Sequence, residues 1–236
     1  MKNLRRIVNC LSDPYSRAVI INQFVSVVFR RGLVSDAHNA TNISDFWEQA
    51  HAKKKNLWLT GSGPNEVIDR LAVAKEVKSS EATILDVGVG LGYMAEFLFS
   101  EGKKSWALDI SHSALERVRA LVEGVFIQSN SLPDGKFSLV MHHLVAQHMS
   151  DEDLSQQIRH LTRSLSKDGL VSMQFASFLN GLDGPLEQSV SLQAAGGVVR
   201  SPMQMEKLVG ESGGRVLEII PREIFDQSQY WVIKFH

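Results

Sequence analysis

The stretch that decides how this sequence is expected to fold is Ile84-Leu85-Asp86-Val87-Gly88-Val89-Gly90-Leu91-Gly92-Tyr93. It starts as a short apolar run, typical of a buried strand, and passes through three glycines into the helical pattern Met94–Phe99. Glycines let the backbone turn sharply and let a ligand approach the main chain, and the amides at the N-terminus of the next helix face that ligand. The stretch therefore predicts a ligand site at a strand-to-helix turn.

The spacing of the glycines separates two classes of ligand. Dinucleotide-binding domains favour G-x-G-x-x-G, whereas Gly88, Gly90 and Gly92 follow G-x-G-x-G. Asp86, two residues before the first glycine, would sit awkwardly beside a pyrophosphate, but a carboxylate there can bind an ammonium group or the amides of the loop. Asp109 ends the next strand-like run, 21 residues after Gly88, where it can accept hydrogen bonds from a ribose diol. The alternative for Asp109 is a surface residue that starts a turn.

Strand and helix patterns alternate around this stretch, which predicts a parallel sheet with helices on both faces. Runs rich in β-branched and aromatic residues predict five strands, at Thr83–Val87, Ser105–Ile110, Val125–Gln128, Phe137–His142 and Leu170–Phe175. Helical spacing occurs at Met94–Phe99, Ala114–Val122, Leu154–Leu165 and Pro202–Val209. Two more strand-like runs, Arg215–Ile220 and Tyr230–Phe235, are only about nine residues apart, too few for a crossover helix. We therefore expect an α/β, doubly wound, mostly parallel seven-stranded sheet that ends in an antiparallel hairpin.

Three residues predict where helices begin and end. Ser113 and Ser150 each precede a carboxylate by three residues, the pattern of a capping box at a helix N-terminus. Gly169 is expected to end the preceding helix in a left-handed conformation.

From about Trp58 to His236 the chain resembles the class I S-adenosylmethionine-dependent methyltransferases, whose first motif is an acidic residue followed by G-x-G-x-G. The matching segments are Leu85–Gly92, Leu108-Asp109-Ile110-Ser111, Leu132-Pro133, Phe137-Ser138-Leu139-Val140 and Leu165–Leu170. The resemblance implies a Rossmann-like fold, S-adenosyl-L-methionine as the cofactor and S-adenosyl-L-homocysteine as its product. It implies cofactor contacts at Asp86, Gly88, Gly90, Gly92, Asp109, Ile110, Asn130, Ser131, Leu132 and His142. Where the family has an acidic residue near the adenine, this sequence has Asn130, which can contact an amino group but brings no charge.

Three histidines lie at or just after the end of the fourth strand pattern, and two of them are candidates for catalysis. If the acceptor is a hydroxyl, a general base assists methyl transfer, and a histidine is the usual supplier. His148, where many members of the family also have histidine, is our first candidate and His143 our second, although a structural role explains His148 equally well. His142 and His143 are adjacent and point to opposite faces of a strand, so we expect no metal site.

Composition and charge limit the partners. The 25 basic and 26 acidic residues nearly cancel, so nucleic acid is not expected to be a partner. The single cysteine, Cys10, has no partner for a disulfide, and no apolar run is long enough for a membrane span or a secretory core. We therefore expect a cytoplasmic protein without stable membrane insertion. The oligomeric state stays open.

The chain is expected to divide into an N-terminal helical extension, 1–55, and an S-adenosylmethionine-binding domain, 56–236. An amphipathic helix around Ile20–Val28 could cover the active site, form a dimer face or touch a membrane, and packing against the protein's own domain is preferred. Phe178–Ser201, rich in glycine, is expected to be a lid, part of an acceptor pocket or a solvated loop.

The sequence therefore predicts a methyltransferase acting on a small molecule, at a hydroxyl oxygen of a sugar or secondary metabolite. An oxidoreductase that binds a nicotinamide dinucleotide and a non-catalytic S-adenosylmethionine-binding module are the alternatives.

Overall fold

The protein was analysed as a computed structural model that describes residues 42–52, 63–178, 198–225 and 228–236. The helix expected around Ile20–Val28, the single cysteine Cys10 and most of the segment Phe178–Ser201 lie outside these ranges.

The described residues form one seven-stranded sheet with the order β3-β2-β1-β4-β5-β7-β6. β1, β2, β3, β4 and β5 pair parallel, and β7 pairs antiparallel with both β5 and β6. The predicted mostly parallel sheet with an antiparallel end hairpin is therefore confirmed. The strand bounds are β1 Thr83–Val87, β2 Lys104–Leu108, β3 Gly124–Phe126, β4 Phe137–His142, β5 Leu165–Phe178, β6 Val216–Phe225 and β7 Ser228–Phe235.

Helices cover both faces of the sheet, because alternate residues of the buried strands point to opposite sides. Val140 of β4 belongs to one apolar cluster and its neighbours Leu139 and Met141 to another. α6 and α7 pack on the first face, and α2, α3 and α4 pack on the second. None of the described helices is both long and apolar enough to span a bilayer. The helix bounds are α1 Ile43–Ala52, α2 Pro64–Arg70, α3 Ala74–Lys78, α4 Tyr93–Ser100, α5 His112–Val118, α6 Asp151–Ser164 and α7 Pro202–Glu211.

The register of the central strands brings their carboxyl ends to one edge. Val87, the last residue of β1, lies opposite Leu108 of β2 and His142 of β4, the last residues of those strands. The loops that follow these three strands therefore start side by side, as at the ligand edge of other open parallel sheets.

The prediction for Gly169 was wrong. α6 ends at Ser164, β5 starts at the next residue, and Gly169 is not among the glycines with positive φ. A Cβ at Gly169 would lie 2.5 Å from the carbonyl oxygen of Phe137. The glycine therefore permits a close approach of two strands where the β4–β5 register shifts.

The two predicted serine caps have different outcomes. The hydroxyl of Ser150 accepts a hydrogen bond from the amide of Asp153 at 3.1 Å, which confirms Ser150 as the N-cap of α6. The prediction for Ser113 was wrong, because Ser111 caps α5 and accepts from the amide of Ala114 at 3.2 Å. The Ser113 hydroxyl instead donates to Glu48 of α1.

Candidate functional site

A cavity of about 660 Å³ lies at the carboxyl ends of β1, β2 and β4. Its walls come from the glycine loop after β1, the residues after β2 and β3, the turn after β4, and one side each of α1 and α6. The cavity lies where the strand register brings the loops together, and its volume is typical of sites for small molecules.

The glycine loop lines the cavity through Gly88 and Gly90 in conformations that favour glycine. Their φ angles are 77° and 50°, and Gly92, with φ 88°, begins α4 and does not line the cavity. A Cβ at Gly88 would lie 2.3 Å from Cγ2 of Val145, which belongs to the turn after β4. Gly88 is therefore required both by its backbone angle and by the closeness of the neighbouring turn.

Asp109 lines the cavity and holds the glycine loop in place. Its Oδ2 accepts a hydrogen bond from the amide of Gly90 at 3.1 Å, and its Oδ1 accepts from the amide of Ser111 at 2.9 Å. Burial raises the pKa of Asp109, and the amides of Ser111 and Gly90 oppose that rise. Since a carboxylate oxygen accepts more than one hydrogen bond, Asp109 can still bind hydroxyl groups in the cavity.

Asp86 lies one residue before the end of β1, behind the cavity wall rather than on it. Its side chain is buried, and burial together with the negative charge of Asp109 raises its pKa from 3.8 to about 7. A carboxyl group with such a pKa is poised to ionise when a cation approaches.

Of the four residues expected around an adenine, two line the cavity and two do not. Ile110 and Asn130 line the cavity. Ser131 is exposed, and its hydroxyl donates to the carbonyl oxygen of Gln128 at 2.6 Å. Leu132 is buried in the apolar cluster under α6. Neither Ser131 nor Leu132 contributes to the cavity wall.

The three histidines after β4 occupy different environments. The side chain of His142 is fully buried and its Nε2 lies 2.8 Å from Oε1 of Gln157, so it does not line the cavity as the resemblance implied. His143 lines the cavity, but burial and then the charge of Arg70 lower its pKa to about 3. His148 lines the cavity from a 3₁₀ turn, Ala146–His148, and its ring meets Trp47 edge-on at 4.8 Å between centroids.

The described residues contain no cluster of three or more His, Cys, Asp or Glu that could hold a metal ion.

Comparison with known proteins identifies the part of the chain that forms this site. Residues 85–173 match a family model described as a methyltransferase domain. No curated protein matches the sequence.

Solved structures share the fold of this chain. The glycopeptide N-methyltransferase MtfA, complexed with S-adenosyl-L-methionine, is 14% identical with a TM-score of 0.55 over 76% of this chain and 88% of its own. The 1,6-didemethyltoxoflavin-N1-methyltransferase of Burkholderia thailandensis, solved with S-adenosylhomocysteine, is 12% identical with a TM-score of 0.58 over 79% and 83%. The (4+2)-cyclase SpnF is 15% identical with a TM-score of 0.55 over 73% and 79%.

The chain thus combines a match to a methyltransferase domain over residues 85–173 with a Rossmann-like fold that it shares with solved methyltransferases.

Two walls of the cavity come from helices that were given no cofactor or catalytic role from the sequence. α1 contributes Trp47 and His51, and α6 contributes one polar face. The α6 residues of the cavity wall recur at helical spacing, so the sequence shows that they share one polar face. A polar helix face is usually exposed to solvent, so the spacing did not indicate a ligand site. They are Asp153, Gln156, Gln157 and His160.

Two charged side chains, Glu48 and Arg117, connect α1 to α5 and to the glycine loop by hydrogen bonds. Glu48 accepts hydrogen bonds from the hydroxyls of Ser111 and Ser113, at 2.8 and 2.5 Å, and these bonds contribute to a pKa of about 2. Arg117 donates to the carbonyl oxygens of Gly90 and His51, at 3.0 and 3.3 Å. Arg117 thereby links the glycine loop to the end of α1.

Proposed function

We propose that this protein binds S-adenosyl-L-methionine in the 660 Å³ cavity and transfers its methyl group to a hydroxyl oxygen of a small molecule, with His148 as the general base. The observation that carries the proposal is that one cavity joins the glycine loop and Asp109 to His148. A sugar or another secondary metabolite is the acceptor class that we favour.

The residues of the cavity fit the cofactor. Asp109 would bind the ribose hydroxyls with the lone pairs that its two amide bonds leave free. Gly88 and Gly90 have no side chain between the main chain and the cofactor, and their positive φ angles would strain any other residue. Asp86 would supply negative charge for the ammonium group, and Ile110 and Asn130 would flank the adenine.

When bound, the cofactor would supply a methyl group on a sulfonium: the acceptor oxygen would form a bond to the methyl carbon, and S-adenosylhomocysteine would leave with the electron pair of the broken C–S bond. The protein would hold the acceptor at attack distance in the cavity, which accounts for much of the rate gain in such reactions. The acceptor's proton passes to a ring nitrogen of His148. His143 is the poorer base, because a pKa of about 3 gives its nitrogen little affinity for a proton at neutral pH.

The neighbouring structures support a small-molecule acceptor without deciding the acceptor atom. Two of them are named N-methyltransferases, and SpnF is named a cyclase. Fold alone does not fix the reaction, so the assignment to oxygen depends on the placement of His148 beside the cavity.

Calorimetric titration followed by an acceptor screen tests the proposal. We expect wild-type protein to bind S-adenosylhomocysteine with a dissociation constant on the order of micromolar, and a nicotinamide dinucleotide not at all. The screen would follow S-adenosylhomocysteine release with paired alcohols and amines of the same skeleton. Turnover of the amines alone would reject the hydroxyl assignment, and binding of the dinucleotide instead would reject the whole function.

A further inference from the structure

Arg200 is a buried cation whose guanidinium donates hydrogen bonds to three different residues. Its side chain is 2% exposed, and its Nε donates to Oδ1 of Asp151 at 2.7 Å. Nη1 donates to the carbonyl oxygen of Ala146 at 2.9 Å, and Nη2 to that of Met149 at 2.8 Å. A buried guanidinium is costly to desolvate unless most of its donors are satisfied, so these contacts form a built arrangement.

The partners of Arg200 surround the turn that carries His148. Ala146 starts the 3₁₀ turn, Met149 follows it directly, and Asp151 is the first residue of α6. The amide of His148 itself donates to the carbonyl oxygen of Val145 at 2.8 Å, which closes the turn. Both backbone contacts of the guanidinium therefore fall at the ends of the segment whose middle places the imidazole at the cavity.

The main chain around Arg200 joins this turn to the sheet. The amide of Arg200 donates to the carbonyl oxygen of Ala176 in β5 at 2.9 Å, and the amide of Val198 donates to that of Gln147 at 3.2 Å. These two hydrogen bonds connect the turn to the end of β5 through residues 198–200.

We propose that Arg200 is a positioning residue that fixes the Ala146–His148 turn so that the His148 ring faces the cavity. This inference rests on the proposed function only for the task given to His148. The planar fork of an arginine sets the spacing of two carbonyl oxygens, which the single ammonium of a lysine does not do. Charge alone is therefore not enough.

The chain offers a matched control. Arg163 pairs with Asp134 through the same atoms, Nε to Oδ1, at the same 2.7 Å, but its side chain is 47% exposed. Exposed pairs of this kind contribute little, so replacing Arg163 tests the loss of an arginine–aspartate pair without disturbing the turn.

The experiment uses full-length protein with ¹³C-labelled histidine. The ring signal of His148 is assigned from its loss in His148→Gln, and the ring current of Trp47, centred 4.8 Å away, makes that signal sensitive to any movement. Arg200→Lys, Arg200→Ala and Arg163→Met are compared for the His148 signal, for binding of S-adenosylhomocysteine and for melting temperature. Arg200→Ala is also measured with added guanidinium ion.

In Arg200→Lys we expect the His148 signal to shift or broaden more than that of any other of the eight histidines, while affinity for S-adenosylhomocysteine stays within about twofold of wild type. Arg163→Met should leave the His148 signal unchanged. Where Arg200→Ala folds, guanidinium ion should return the signal toward its wild-type position; where it does not fold, the lysine variant decides.

A His148 signal unchanged in Arg200→Lys, with only a lower melting temperature, overturns the inference. Wild-type protein that fails to bind S-adenosylhomocysteine instead overturns the proposed function and leaves the His148 comparison standing.

Discussion

The buried carboxyl of Asp86 should make the protein less stable as the pH rises. Its pKa in the folded protein is about 7, against 3.8 for an ordinary aspartate, because of burial and the charge of Asp109. Between these two values the folded protein keeps a proton that the unfolded chain has lost. The free energy of unfolding contributed by Asp86 is therefore fully present below pH 4 and falls as the pH rises through 7.

The size of this effect follows from the same difference. Raising the pKa from 3.8 to about 7 corresponds to at most about 4 kcal/mol. Asp86→Asn keeps the shape of the neutral carboxyl and cannot ionise. We expect this variant to unfold with wild-type free energy near pH 4, and to be more stable than wild type by about 2 to 4 kcal/mol at pH 8.

Urea unfolding at a series of pH values measures the effect, with Glu101→Gln as the control because Glu101 is an exposed carboxylate. Calorimetry on the same variant measures its affinity for the cofactor, which should fall although the stability at pH 8 rises. We expect Asp86→Asn to bind S-adenosylmethionine about tenfold more weakly, since the negative charge that Asp86 supplies behind the cavity wall is lost. An Asp86→Asn protein that is less stable than wild type at pH 8 would refute the reasoning, because the carboxylate would then stabilise the fold.

Three further substitutions test other parts of the site. Asp109→Ala should weaken binding of S-adenosylhomocysteine by about tenfold in calorimetry, since the ribose contact and the bond to Gly90 are both lost. Gly88→Ala should lower the free energy of unfolding by about 1 to 3 kcal/mol in urea titrations, because its Cβ meets Val145, and the added substitution Val145→Ala should recover part of the loss. His148→Ala should lower turnover of a hydroxyl acceptor by about 10²-fold with unchanged cofactor affinity, whereas a structural histidine would lower the melting temperature and spare turnover.

The parts of the site that were predicted are those encoded in short contiguous segments. The glycine loop and Asp109 each follow a buried strand directly, so their position at the edge of a parallel sheet follows from local sequence. The same reasoning did not distinguish Asp86, behind the wall, from Gly88 on it. It also did not place His142, which differs from His143 by one residue and points toward α6 instead.

The parts that were missed depend on contacts between distant residues. Arg200 reaches partners 49 to 54 residues earlier in the chain, and nothing in its neighbourhood indicates a buried guanidinium. Gly169 was misread because a glycine serves close approach as well as a left-handed turn, and only the neighbouring Phe137 carbonyl decides between them.

The order of the last three strands determines when the sheet can be completed during synthesis. β7 follows β6 in the chain but lies between β5 and β6, and Ile233 and Phe235 of β7 are fully buried. A ribosome-bound chain that has produced β5 and β6 still has an open edge on each, because their shared neighbour has not yet emerged. Such edges pair readily with other chains, so this protein should depend on chaperones until residue 235 leaves the exit tunnel.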